Sequence, residues 1–144
     1  MADTYVKKIV AAIASTLDAT GKPTGLVVST ARKRPSKAAK HMAVFPLQDE
    51  APNESAPRNR AFSGARRLLT VGVACRSAGT DLDNEALRAW AVSQLFKDET
   101  FGGIAVSLAE GETAWLGEID SQSDYSDALM QFIVEYSRPK NSLE

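Results

Sequence analysis

The sequence predicts an α+β domain: a mostly antiparallel or mixed β-sheet packed against two α-helices. Two stretches, 3–17 and 81–96, repeat apolar residues every three to four positions, as a helix with one buried face requires. Two others, 66–77 and 127–138, alternate apolar and polar residues with the period of two that marks a half-buried strand. Polar segments rich in Pro and Gly separate these blocks, and 144 residues suit one domain with a real core, so 1–144 is read as a single unit.

Each element has a local reason. In 3–17, Asp3 or Thr4 can cap the free N–H groups, and Val6, Ile9, Val10, Ile13 and Leu17 form the apolar stripe. Gly21, Pro23 and Gly25 then break the helix. "LVVST" (26–30) is a short β-branched strand, followed by the basic run 31–40, read as a projecting loop. "HMAVFPLQ" (41–48) is a second strand with Ala43, Phe45 and Leu47 expected on the core face. Pro46 cannot donate to a ladder, so this strand lies at an edge, or ends or bulges there. Residues 49–64 are polar, contain Pro52, Pro57 and Gly64, and form a second long loop.

In "RRLLTVGVACRS" (66–77), Leu69, Val71, Val73 and Cys75 share one side. Asp81, Asp83 and Glu85 crowd the start of the second helix, where its dipole favours negative charge, and Leu87, Trp90, Ala91 and Leu95 are its stripe. Residues 104–108 suit either a strand or one helical turn, and 113–120 reads as a strand. In 127–138, Ala128, Met130, Phe132, Val134 and Tyr136 face the core. Residues 139–144 are expected to be a flexible tail. The core is therefore expected around Ile9, Ile13, Val71, Val73, Trp90, Leu95, Phe132 and Val134.

Composition narrows the function. With 44% hydrophobic and 24% charged residues the chain reads as a soluble globular protein, and no apolar run approaches the ~18–20 residues of a membrane span. "MADTYVKKIVAAIAS" mixes charge into its apolar run and is a poor signal peptide. One cysteine, Cys75, excludes an internal disulfide and suits a reducing cytoplasm. A single His and a single Cys cannot build a zinc site. His41 stands without a nucleophile-elbow or triad pattern, and "TGKPTG" (20–25) lacks the glycine and Ser/Thr of a phosphate loop. No catalytic residue, metal site or cofactor is expected.

Charge is strongly segregated. Residues 1–76 hold 13 Lys/Arg against 5 Asp/Glu, whereas 77–144 hold 4 against 13. Either the halves interleave and cancel, or the protomer is polar and docks its basic face on a neighbour's acidic face, which closes rings or extends filaments. The second reading makes Arg32, Lys33, Arg34, Lys37, Lys40, Arg58 and Arg60 interface candidates, opposite Asp98, Glu99, Glu110 and Glu112. The same basic run also suits a nucleic-acid-binding module, although no aromatic residue lies within 31–40 for bases to stack on.

"VFPLQDE" (44–50), "DETFGG" (98–103) and "VEYSR" (134–138), in this order around a strand and a helix, resemble the tail terminator, or tail completion, proteins of long-tailed bacteriophages. That family's turn reads Asp-x-Thr-Leu-Gly-Gly; Phe101 stands here in place of the Leu. The resemblance implies a non-enzymatic minor tail protein of the virion, made in the host cytoplasm. It implies a ring of six subunits capping the head-proximal end of the tail tube, with the tube protein and a head connector or stopper as partners. DNA would pass through the lumen without specific binding, and no membrane is involved. A connector or stopper protein is the neighbouring alternative.

Overall fold

The computed structural model describes residues 3–30, 40–51, 64–117, 126–139 and 142–144. Its elements follow the order α1 (Tyr5–Leu17), β1 (Leu26–Ser29), β2 (Lys40–Glu50), β3 (Gly64–Ser77), α2 (Asp81–Leu95), β4 (Ser107–Gly117) and β5 (Ser126–Pro139). The five strands form one mixed sheet in the order β1-β2-β3-β5-β4. β1 runs parallel to β2, and all other pairs are antiparallel. This is the α+β architecture expected from the sequence.

The β3–β5 pair is the axis of the sheet: Gly64 lies opposite Pro139 and Ser77 opposite Ser126, with no register shift between. Strict alternation makes this register unambiguous, because a slip of one residue would turn every core side chain to the other face. Leu69, Val71, Val73 and Cys75 from β3 are buried with Met130, Phe132, Val134 and Tyr136 from β5. Both helices pack on that face, α1 over the β1–β2 side and α2 over β3 and β5. Ile9, Ile13 and Leu17 of α1 and Leu87, Ala91 and Leu95 of α2 complete the core.

The helix starts are made by side chains. Thr4 caps α1 by accepting from the Lys7 N–H at 3.2 Å, so Thr4 rather than Asp3 takes that role. At α2, Asp83 reaches back to accept from the Thr80 N–H at 2.7 Å. A Cβ on the adjoining Gly79 would fall 2.0 Å from Asp83 Oδ2, so a larger residue there would push the carboxylate out of this cap. The buried Asn84 then donates to Ser126 Oγ at 3.0 Å, which itself donates to the Gly79 carbonyl at 2.9 Å, tying the start of α2 to β5.

Several sequence expectations are corrected. In β2 the residues facing the helices are Met42 and Val44, both in the core cluster, not Ala43, Phe45 and Leu47. Those three lie on the opposite face, where Phe45 and Leu47 close over Gly72 of β3: a Cβ on that glycine would meet Phe45 Cε2 at 2.9 Å. The glycine gives the two large side chains somewhere to lie, which a count of apolar residues in β2 alone does not reveal. Pro46 stands at a register shift, along the part of β2 that β1 does not cover. Residues 104–106 form neither strand nor helix, and one strand from Ser107 replaces the two segments expected there. Trp90 is half-buried at the margin of the core. At the end of the chain, Leu143 C=O accepts from the Tyr5 N–H at 2.8 Å, so this part of the expected free tail is bonded to the start of α1.

Burial sets the expected mutational costs. Phe132→Ala should lower stability by about 3–5 kcal/mol, measured by urea denaturation. Trp90→Ala should cost clearly less, because part of its ring is already in water.

Candidate functional site

Among the described residues, several charges of the two halves pair within the fold. Arg66 pairs with Glu135, and Arg76 with Asp127 at 3.0 Å, both across the β3–β5 ladder that joins the two halves of the sequence. Arg67 binds Asp49, whose other oxygen accepts from Tyr136 Oη at 3.0 Å, while Tyr5 stacks on the Tyr136 ring. Within the sheet, then, the halves interleave and cancel. Six further cations of 1–76, Arg32, Lys33, Arg34, Lys37, Arg58 and Arg60, lie outside the described residues. Lys40 is half-buried at the first residue of β2.

The four acidic candidates divide into two groups. Glu110 and Glu112 lie on β4, the terminal strand on one side of the sheet. Glu110 accepts from Arg88 Nη2 at 2.6 Å; the same guanidinium binds Glu85 at 3.1 Å and Thr113 Oγ1 at 3.1 Å. It also lies 5.6 Å from the centroid of the Trp115 ring. Sequence reading missed this cluster; only the Glu85–Arg88 spacing of three on a helix hinted at it.

Asp98 and Glu99 are exposed in the turn that leaves α2. Asp98 is consumed by that turn: its carboxylate accepts from the Thr100 N–H at 3.1 Å, the Thr100 hydroxyl at 2.9 Å and the Gly102 N–H at 2.9 Å. These bonds, the Gly102 N–H foremost, hold its carboxyl below the usual carboxylate range. Three successive residues then take positive φ: Phe101 at 49°, Gly102 at 74° and Gly103 at 96°. Such backbone is easy for glycine and costly for other residues. Phe101 accepts it while its side chain is buried in the core. A shallow groove of about 380 Å³ beside the turn is lined by Ala12, Ser15, Thr16, Ala19, Gln94 and Lys97 as well as Asp98 and Phe101.

The chemically capable side chains have structural partners. His41 is fully buried, with Nε2 3.0 Å from Ser29 Oγ, linking β2 to β1. That distance would suit a nucleophile and base, but the imidazole lies out of solvent between β1 and β2. Burial pushes the Cys75 thiol up to about 12. No cluster of three or more His, Cys, Asp or Glu suited to a metal ion occurs among the described residues. No described helix is long and apolar enough to cross a membrane. Neither a family model nor a curated protein matches the chain.

Two outcomes follow. Native protein at pH 8 should leave Cys75 unmodified by an aromatic disulfide reagent, with rapid reaction after unfolding in guanidinium. For the turn, Asp98 has a depressed pKa, so its stabilising effect is present above the ordinary carboxylate value of 3.8 and is lost as pH falls below it. Asp98→Ala should therefore lower Tm at pH 7 and make little difference near pH 2, and Gly102→Ala should cost about 1 kcal/mol at either pH.

Proposed function

We propose that this chain is a structural subunit of the tail-terminator type: six copies form a ring that caps the head-proximal end of a phage tail tube, stops its polymerisation and meets the head connector. The observation that carries the reading is the turn at 98–103. Asp98, Thr100, Gly102 and Gly103, on which the resemblance rests, are residues that its bonds and positive φ angles call for. Phe101, where the family has Leu, places an apolar side chain in the core as Leu would. The residues of the signature are those that build one hydrogen-bonded turn in this chain.

The basic residues of 32–40 and 58–60 suit docking on the acidic residues of a neighbour. Of the cations that a nucleic-acid-binding role would add to the 32–40 stretch, Arg66 and Arg67 are engaged by carboxylates. The proposed role involves no catalysis or cofactor; it places the protein at the head–tail junction, with DNA passing through the ring.

Negative-stain microscopy of the purified protein, alone and with tail tube subunits, tests this. Six-fold rings or capped tube ends are expected; a protein that stays monomeric and leaves tube length unchanged would overturn the reading. Reversing Arg32, Lys33 and Arg34 to Glu should disrupt assembly with Tm unaltered, because charges at a contact between proteins set association and register.

A further inference from the structure

We propose that the surface where α2 meets the outer edge of β4 is the acidic side of the contact between copies of this chain, and that the Arg32–Lys40 stretch of a second copy occupies it. The proposal rests on the ring reading above and names the contact that would build the ring. Its centre is Trp115, 43% exposed, with the Arg88 guanidinium lying by the indole. Thr113, Glu85 and Glu110 hold all three guanidinium nitrogens of Arg88, so the arginine and the indole are positioned before any partner arrives. Rigid Trp and Arg side chains are the types that dominate binding energy at protein contacts.

The charge balance selects the occupant. Two carboxylates share one guanidinium, leaving one negative charge uncompensated. Glu112, exposed and without an ion pair among the described residues, adds another. Beside them the outer edge of β4 pairs with no strand among the described residues, and a register shift between Glu110 and Thr113 sets Gly111 and Glu112 outside regular pairing. A cationic segment satisfies the charges, and one that pairs as a strand would also satisfy the open edge. This chain's sequence supplies the charge: five Lys/Arg and no acidic residue between Arg32 and Lys40.

The topology favours a contact between copies. That stretch is tethered between β1 and β2, while β4 closes the other side of the sheet. Four strand spacings separate β1 from β4, roughly 19 Å. A contact between two different surfaces of the chain is head-to-tail, the heterologous kind that closes rings.

Two variants with native Tm test this by sedimentation: an acidic-side variant, Trp115→Ala with Glu112→Gln, and a basic-side variant, Arg32→Glu, Lys33→Glu and Arg34→Glu. Each alone should lose self-association by at least about tenfold. Mixed in equal amounts they should form a heterodimer and stop there, because one intact junction remains per pair. Wild-type assembly by the acidic-side variant would overturn this surface while leaving the ring reading in place. A mixture that stays monomeric would overturn the pairing of these two sides. Wild-type protein that is monomeric at every concentration, even beside tail tubes, would overturn both proposals.

Discussion

The unbroken antiparallel ladder between β3 and β5 is the constraint on which the remaining structure depends. It places two strictly alternating strands side by side, so their apolar faces merge into one surface broad enough for both helices. It also brings the basic first half of the sequence against the acidic second half, where Arg66–Glu135 and Arg76–Asp127 neutralise each other. The burial of Phe132, Val134 and Tyr136 and the anchoring of α2 through Asn84 and Ser126 both follow from this register.

What the sequence disclosed follows from how local each determinant is. The alternation of Leu69, Val71, Val73 and Cys75 carries its own register, and the structure buries all four. α1 and α2 were equally legible, because capping residues and apolar spacing act within a few positions. β2 was misread because both of its faces carry apolar residues; which one meets the helices depends on Gly72, 27 residues beyond Phe45 on another strand. The start of β4 was ambiguous for a related reason. Residues 104–106 follow a turn whose left-handed backbone is enforced by Asp98, and no periodicity reports that.

The candidate surface was legible only as charge. Composition marked Glu110 and Glu112 as acidic and the 32–40 stretch as basic, but gave no sign that Arg88 would gather Glu85, Glu110, Thr113 and Trp115 around itself. Those residues come from a helix and an edge strand and meet only through the packing of α2. Conversely, His41 and Cys75, the two residues to which chemical intuition turns first, are sealed in the sheet.

The central ladder has a further consequence for how the chain reaches its fold. β3 and β5 are separated in sequence by α2 and β4, so the defining pairing closes a long loop, and its entropy must be spent before the core can repay it. A growing polypeptide can form α1 and the β2–β3 hairpin early, but β3 keeps one edge unsatisfied until the segment near 126–139 is made. During synthesis that edge is a strand without its partner, the state most prone to pairing with the wrong neighbour. Arg66, Arg67 and Arg76 line this same strand, and repulsion between their charges on successive nascent copies would keep those edges apart until β5 arrives to neutralise two of them.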